Sequence, residues 1–184
     1  MSGYRGWEEW NSPAYDPRTN LIFTPDVEWC STVRLQTREE IAAASLGQPW
    51  TGEKSLNPFN EFGKYTRADG VWAGWLHAVD ADTGVWKWRL KSNYPILGAV
   101  TPTAGGLVFF GDVGGNFYSL DAATGQKLWG QKIGGAIGGG IITYTMNGAQ
   151  KVAVATGYVS PAFPVEIRRA KIAILGVEGD ATSR

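Results

Sequence analysis

Histidine and cysteine are nearly missing from this sequence, which has one of each among its 184 residues. The single cysteine, Cys30, excludes a disulfide within the chain and a cysteine-based zinc site, and we expect it to be a small buried hydrophobic residue. A serine–histidine hydrolase or a multi-histidine metal site would depend on His77 alone. Because His77 alternates with Leu76 and Ala78 along a predicted strand, we expect it on the solvated side of that strand.

The sequence also has no excess of positive or negative charge, since its 17 lysines and arginines are balanced by 17 aspartates and glutamates. This balance argues against nucleic acid and against an anionic membrane as the main partner. No apolar run approaches the ~20 residues of a membrane span, and the first seven residues contain no apolar core of signal-peptide length. We therefore expect either a cytoplasmic protein or one whose true N-terminus is missing from this sequence.

Glycine and tryptophan, in contrast, are abundant, with 25 and 9 residues. The glycines and the nine prolines predict a chain that turns often. With 43% hydrophobic and 18% charged residues, the composition is that of a globular protein. The tryptophans need an explanation of their own.

A repeat of 41 residues supplies part of that explanation. Residues 76–88 read LHAVDADTGVWKW and residues 117–129 read FYSLDAATGQKLW, so that an aspartate, a threonine, a glycine and a tryptophan recur 41 positions apart. A period near 40 is typical of a propeller blade, which has four strands of about six residues plus turns. The sequence therefore predicts an all-β protein made of antiparallel β-propeller blades.

The repeated aspartates are predicted to be turn residues rather than acid–base catalysts. Asp80 and Asp121 each begin an Asp-x-x-Thr-Gly segment, in which the carboxylate can accept backbone hydrogen bonds and the glycine can take a positive φ. Asp82 has no counterpart in the second copy, where Ala123 stands, and this predicts a surface position. Each copy is therefore read as a hairpin.

Three four-stranded blades can be traced on this basis. The first comprises roughly residues 8–25 and 71–90 and is interrupted by an insertion at 26–70 with a short helix at 37–46; the second comprises 97–131, and the third 138–177. The predicted strands are residues 21–24, 85–90, 99–103, 107–111, 126–131, 140–145, 151–156 and 171–176. After residue 176 the Asp-x-x-Thr-Gly pattern does not recur.

Three blades cannot close a ring. Propellers typically have 4–8 blades, and closure is what covers the faces and edges of the end blades. We therefore expect the chain to be a portion of a larger propeller or one subunit of a split one, with the remaining blades in an upstream segment or in another chain.

Three segments of the chain resemble one family. Residues 78–88 and 119–129 match the pattern A-x-D-x-x-T-G-x-x-x-W, with Ser119 for the alanine. This pattern resembles the tryptophan-docking motif of the quinoprotein alcohol dehydrogenases, which use pyrroloquinoline quinone (PQQ) and in which the tryptophan packs between blades. Residues 10–25 are similar to the family's W-x-P-x-(A/S)-Y-x-P-x-T-x-L-x-Y-x-P segment, and residues 138–157 to its late P-x-T-Y-x-x-x-G-x-Q-Y-V-A-V-x-x-G segment.

The resemblance implies the C-terminal portion of an eight-bladed periplasmic propeller that oxidises an alcohol or a sugar. In the family, PQQ lies in the central channel on a calcium or lanthanide ion and accepts a hydride, an aspartate acts as general base, and a cytochrome c is the electron acceptor. The metal ligands and the catalytic aspartate lie in earlier blades. The resemblance therefore implies no catalytic or metal residue in this chain, which we expect to be inactive alone.

Four residues are candidates for the rim of the cofactor pocket. Trp10 matches the tryptophan of the family's Asn-Trp pair, although it could also be a blade-packing tryptophan. The asparagine is replaced by Glu9, whose carboxylate would repel an anionic cofactor unless a cation intervenes. Asn11 could supply the displaced amide or be a turn residue. Tyr158 follows Gly157 where the family often has a tryptophan, so it is either a hydroxyl donor to PQQ or a core aromatic.

Residues 134–140 contain five glycines among seven positions. Such a run lets the backbone approach a ligand closely, or it reflects tight packing between strands near the propeller axis. A second function also stays open: a non-catalytic propeller that binds proteins, like the outer-membrane assembly lipoproteins, whose blades carry similar repeats.

Overall fold

The computed structural model describes residues 13–28, 36–47, 73–158, 166 and 168–176, and these form three antiparallel sheets. Sheet 1 has the strand order β1-β2-β3-β4, sheet 2 the order β5-β6-β7-β8, and sheet 3 the order β11-β10-β9. The strands are β1 Ala14–Asp16, β2 Leu21–Glu28, β3 Ala73–Asp80, β4 Trp86–Ser92, β5 Thr101–Pro102, β6 Leu107–Gly111, β7 Asn116–Asp121, β8 Lys127–Lys132, β9 Ile141–Met146, β10 Ala149–Thr156 and β11 Lys171–Gly176.

The predicted antiparallel all-β architecture is confirmed, with differences at the ends of several elements. β6 and β11 have the predicted bounds, whereas β2 continues to Glu28 and β5 is reduced to two residues. Sheet 3 has three strands among the described residues where a four-stranded blade was expected.

The single helix of the described residues, α1 Arg38–Ala42, is shorter than the predicted 37–46. Thr37 caps its first turn, because its side chain accepts a hydrogen bond from the Glu40 backbone N–H while the Glu40 carboxylate accepts one from the Thr37 N–H. No helix in the described parts of the chain has the length and hydropathy needed to cross a membrane.

Sheet 2 is sandwiched between the other two sheets. On one face, its residues Val108, Phe110 and Leu120 pack against Phe23 and Leu76 of sheet 1. Phe109 and Phe117 point to the opposite face and pack against sheet 3, where the contacts are Ile141, Val152 and Val154. Burial on both faces explains why residues 107–111 read as a continuous apolar run rather than an alternating one.

A tight turn fixes the register of the hairpin formed by β9 and β10. Asn147 and Gly148 have φ angles of 52° and 76°, the left-handed pair that a two-residue hairpin between β9 and β10 requires. The predicted turn at 146–148 is therefore confirmed.

Candidate functional site

The connections between sheets lie together at one end of the molecule. The segment 93–100 leads from β4 to β5, and the segment 133–140 leads from β8 to β9. The two touch directly, because the Ala99 N–H donates to the Gly139 carbonyl at 3.0 Å. A Cβ on Gly98 would lie 3.3 Å from the same oxygen, so a small residue favours this approach. The Asp-x-x-Thr-Gly turns lie at the opposite end of the sheets.

Tyr158 lies at this connection end and is half-buried. Its backbone N–H donates to the Ala136 carbonyl at 3.0 Å, and the Gly157 N–H donates to the same oxygen at 2.9 Å. The ring of Tyr158 lies over Gly138, where a Cβ would be 2.6 Å from the tyrosine Cγ. Tyr158 is thus held against the glycine-rich connection by its backbone and its ring.

The other three predicted rim residues, Glu9, Trp10 and Asn11, lie outside the described residues, as does Cys30. Their placement relative to Tyr158 remains a prediction.

Two glycines of residues 134–140 pack closely against neighbouring atoms. A Cβ on Gly135 would lie 3.0 Å from the Gly157 Cα, and one on Gly139 would lie 2.9 Å from the Ala155 Cβ. Gly140, in contrast, has no atom within 4 Å of a built Cβ. Close approach of a ligand remains a prediction.

A buried carboxylate near this end was missed by the sequence analysis. Asp112 is fully buried in the turn between β6 and β7. Its oxygens accept hydrogen bonds from the Asn116 amide at 3.0 Å, from the Ser92 hydroxyl at 2.9 Å and from the Tyr118 hydroxyl at 3.1 Å. The available signal was an aspartate directly after the apolar strand and before Gly114, at the start of the Gly-Gly-Asn turn.

The network around Asp112 is structural. With three side chains donating to it and the Asn116 backbone N–H donating at 3.1 Å, the carboxylate uses its acceptor capacity within the protein. Burial, followed by the charge of Asp112, raises the pKa of Tyr118 to about 12, so Tyr118 stays protonated as a donor near neutral pH.

The prediction that His77 is solvated is wrong. His77 is buried in β3, and its Nε2 lies 3.1 Å from Oδ2 of Asp26, which is buried in the adjacent strand β2. β3 is an interior strand of sheet 1, and its side chains are covered on both faces. The alternation of side chains along β3 therefore does not separate a solvent-exposed face from a buried one.

Aromatic rings and cations surround this buried pair. The imidazole of His77 lies between the rings of Trp75 and Trp86, with centroid distances of 6.3 and 5.0 Å. The Arg89 guanidinium lies 4.4 Å above the Trp86 ring. The Trp75 indole donates to Glu28 at 2.8 Å. A signal was present in the sequence, since Trp75 and His77 are two residues apart on one strand and share a face.

The Asp-x-x-Thr-Gly turns form as predicted. Oδ1 of Asp80 accepts hydrogen bonds from the backbone N–H and the hydroxyl of Thr83, at 3.0 and 2.8 Å. Oδ1 of Asp121 accepts the same pair from Thr124, both at 2.8 Å. Hydrogen bonds from Thr83 and then Lys87 lower the pKa of Asp80 to about 2, and those from Thr124 lower the pKa of Asp121. Asp82 is exposed, as predicted.

Trp88 links sheet 1 to sheet 2. Its indole N–H donates to the Ala122 carbonyl at 3.1 Å, and its ring lies over Gly125, where a Cβ would be 2.6 Å from the indole Cδ2. This tryptophan is therefore accounted for by contacts within the protein.

The described residues offer hydrogen-bonding groups at the connection end. They contain no group of three histidine, cysteine, aspartate or glutamate side chains that could hold a metal ion. What they bring together at the connection end is the half-buried Tyr158 and glycine backbone.

Known proteins with similar sequences include quinoprotein dehydrogenases, and one family model matches part of the chain. A family model described as "Outer membrane protein assembly factor BamB" matches residues 73–163. The chain is 33% identical to quinoprotein alcohol dehydrogenase PedH of Pseudomonas putida over 84% of its own length. It is also 33% identical to lupanine 17-hydroxylase (cytochrome c) of a Pseudomonas species over 85% of its length. It spans only 24% and 21% of these two relatives.

A solved structure has the same arrangement of sheets. Europium-containing methanol dehydrogenase superposes with a TM-score of 0.65 at 28% identity, over 83% of this chain and 25% of that one. The predicted propeller fold is thereby confirmed.

Proposed function

This chain is a relative of the PQQ-dependent quinoprotein dehydrogenases, and from that premise we propose that it forms three blades in the propeller of such an enzyme. The enzyme oxidises an alcohol or a sugar by hydride transfer to the quinone. The observation that carries the proposal is the 33% identity with a quinoprotein alcohol dehydrogenase over 84% of the chain. The blades comprise roughly residues 8–25 with 71–90, then 97–131, and then 138–177 as the C-terminal portion.

The chemistry is divided between this chain and the rest of the ring. When bound, PQQ supplies the carbonyl that receives the hydride, and a calcium or lanthanide ion polarises that carbonyl. By resemblance, the ligands of the ion and the general base belong to other blades. The described residues supply shape and hydrogen bonding, and we expect the 184-residue chain to be inactive alone.

The connection end of the sheets fits the rim of the cofactor pocket. Tyr158 is half-buried there, and its ring lies over Gly138. We assign its hydroxyl as a donor to the anionic quinone, alongside Trp10 and Asn11. The Glu9 carboxylate lies near that anion in this assignment, so a cation between the two is required to offset their repulsion.

Replacement of Tyr158 by phenylalanine tests this assignment in the full-length protein. Loss of one hydrogen bond to a charged group costs about 1.5–3 kcal/mol, so we expect PQQ to bind at least about tenfold more weakly. Tyr144→Phe removes a hydroxyl from β9 and is the matched control, for which we expect unchanged affinity. Equal PQQ dissociation constants for wild type and Tyr158→Phe would show that the Tyr158 hydroxyl does not donate to PQQ.

A turnover assay distinguishes the full-length protein from the 184-residue chain. We expect the full-length protein, loaded with PQQ and calcium or a lanthanide, to reduce an artificial dye when given primary alcohols or sugars. The 184-residue chain under the same conditions should give no steady turnover. Steady turnover by the chain would refute the division of chemistry proposed above.

The cellular location of the enzyme and its electron acceptor are proposed from the same resemblance. We propose a periplasmic enzyme that passes its electrons to a cytochrome c, and the name of the relative lupanine 17-hydroxylase (cytochrome c) supports this acceptor. Reduction of a cytochrome c by the loaded full-length protein, followed at the haem absorption band, is the measurement that checks it.

A second function is supported by a different observation. The description of the family model that matches residues 73–163 names an outer-membrane protein assembly factor. A non-catalytic propeller that binds proteins therefore stands as the alternative. Failure of the full-length protein to bind PQQ in an equilibrium titration would favour the scaffold.

A further inference from the structure

A series of backbone hydrogen bonds at the connection end repeats from sheet to sheet. Asp26 lies near the end of β2, and its carbonyl accepts the N–H of Ile96 in the connection between β4 and β5, at 3.4 Å. Asp112 directly follows β6, and its carbonyl accepts the N–H of Ile137 in the connection between β8 and β9, at 3.0 Å. The two isoleucines are 41 positions apart, so the sequence repeat extends to the connections.

The two aspartates occupy equivalent positions in their sheets. Leu21 and Leu107 each pair with the aspartate that begins an Asp-x-x-Thr-Gly turn. Counted from these leucines, Asp26 and Asp112 stand at the same place along their strands. Both are buried, and the carboxylate of each is held from another strand: that of Asp26 contacts His77, and that of Asp112 accepts from the three side chains described above.

A second set of hydrogen bonds joins each connection to the next sheet. The Val113 N–H donates to the Pro95 carbonyl at 3.0 Å, and the Tyr158 N–H donates to the Ala136 carbonyl at 3.0 Å. Pro95 and Ala136 are again 41 positions apart. Ala136 directly precedes the isoleucine whose N–H the Asp112 carbonyl accepts. Tyr158 is therefore linked to Asp112 through two adjacent residues of the connection between β8 and β9.

The carboxylate of Asp112 fixes the turn that presents this carbonyl. Its Oδ1 accepts the Asn116 N–H at 3.1 Å, and the Asp112 N–H donates to the Asn116 carbonyl at 3.0 Å. The Gly115 N–H donates to the Asp112 carbonyl at 3.0 Å, beside the donor from Ile137. A Cβ on Gly115 would overlap the carbonyl oxygen of Gly134, so this turn packs directly on the connection between β8 and β9.

We propose that Asp112 is a positioning residue for Tyr158. Its carboxylate, held by side chains of β4 and β7, fixes the turn between β6 and β7. The Asp112 carbonyl then holds Ile137, and the adjoining Ala136 carbonyl holds Tyr158 over the glycine-rich connection. Asp112 is completely buried and acts on the rim only through these contacts. The proposal rests on the proposed function for the place of Tyr158 at the cofactor rim.

An ionised carboxylate is suited to this position because every group that faces it is a donor. Its two oxygens accept from the hydroxyls of Ser92 and Tyr118 and from the side-chain amide and backbone N–H of Asn116. In Asp112→Asn, one oxygen becomes an NH₂ group of the same size that faces these donors. The network then loses at least one hydrogen bond without a change in side-chain volume.

Hydrogen exchange of the full-length protein without PQQ tests the positioning directly. In Asp112→Asn, we expect the N–H groups of Ile137 and Tyr158 to exchange at least about tenfold faster than in the wild type, because their acceptors are held less firmly. The N–H of Gly125, at the opposite end of sheet 2, is the internal reference and should be unchanged. Unchanged exchange at Tyr158, or an equal acceleration at Gly125, would overturn the proposal.

Two further variants complete the exchange experiment. Asp16→Asn removes another buried carboxylate, which Arg18 holds at the opposite end of sheet 1, and it should leave the exchange of Tyr158 unchanged. Tyr118→Phe removes one donor to Asp112 and keeps the ring, so it decides the matter if Asp112→Asn does not fold. We expect a smaller acceleration at the same N–H groups, and none at all would overturn the proposal.

The PQQ dissociation constant separates positioning from a purely structural role. If Asp112 acts through Tyr158, Asp112→Asn weakens PQQ binding in the wild type but adds no further weakening to Tyr158→Phe. Independent losses that multiply in the double variant would overturn the proposal. If Tyr158→Phe alone leaves the PQQ affinity unchanged, the hydroxyl assignment of the proposed function fails, and hydrogen exchange still decides whether Asp112 positions Tyr158.

Discussion

Asp26 and His77 form a buried pair at the centre of sheet 1, with Oδ2 and Nε2 3.1 Å apart. The pair lies beside Trp75 and Trp86. Removing one partner from a buried polar pair leaves the other without its hydrogen bond, whereas replacing both with apolar side chains is much less costly. At the scale of single residues, this pair is therefore a structural feature whose coupling can be measured.

A double-mutant cycle measures that coupling. His77→Leu leaves the Asp26 carboxylate buried without its imidazole partner, and we expect a loss of roughly 2–4 kcal/mol in the free energy of unfolding. Asp26→Leu in the same chain should recover at least about 1 kcal/mol of that loss. Chemical denaturation of the two single variants and the double variant gives the result. Additive losses would show that the two side chains do not interact.

The turn aspartates predict a dependence of stability on acid pH. Hydrogen bonds from Thr83 and Lys87 lower the pKa of Asp80 from 3.8 to about 2 in the folded chain. A group whose pKa is lowered by folding stabilises the protein above its unfolded pKa, and the contribution is lost as the pH falls towards the folded value. The unfolding midpoint in urea should therefore fall between about pH 4 and pH 2, and it should fall less steeply in Asp80→Asn. Identical slopes for the two proteins would contradict the assignment.

At the scale of elements, the repeated pattern is explained by the geometry of the outer hairpins. Ala78 lies opposite Trp88, and Ser119 lies opposite Trp129, in each case beside an irregularity in the strand register. A small residue opposite the tryptophan leaves room for the ring. The motif therefore has alanine or serine at this position because a larger side chain would occupy the space of the tryptophan ring. Its glycine is needed for a similar reason, since a Cβ on Gly125 would clash with the ring of Trp88.

Trp88 and Trp129 provide a matched comparison between the two copies. Trp88→Phe removes the hydrogen bond to Ala122 and part of the contact with Gly125, and we expect a loss of about 1–3 kcal/mol in the free energy of unfolding. Trp129 is 42% exposed and its ring contacts that of Phe117 in the same sheet, so Trp129→Phe should cost less. Thermal or chemical unfolding of both variants checks this order. An equal or larger loss for Trp129→Phe would show that the docking of Trp88 is not what stabilises the joint.

The sequence allowed most of the sheet architecture to be predicted, because hairpin turns and a 41-residue period are local signals. Asp80 and Asp121 were recognised for the same reason. His77 was misplaced because its burial depends on how sheet 1 is covered, which alternation along one strand does not reveal. The network of Asp112 was missed because Ser92 and Tyr118 reach it from other strands. Of the candidate site, the structure places Tyr158 at the glycine-rich connection, and its role towards a cofactor is a prediction.

At the scale of the whole molecule, the three sheets stack in the order of the chain. Sheet 2 is covered on one face by sheet 1 and on the other face by sheet 3. The outer face of sheet 3 carries exposed apolar side chains, among them Ile142, Ile172 and Ile174. Exposed apolar surface of this kind is typical of an interface.

A crystal structure of the full-length protein grown with PQQ is the most direct measurement of this account. We predict a closed ring in which sheets 1, 2 and 3 are consecutive and Tyr158 faces the quinone. A self-contained body of three sheets whose outer faces remain in solvent, with no quinone near Tyr158, would contradict it.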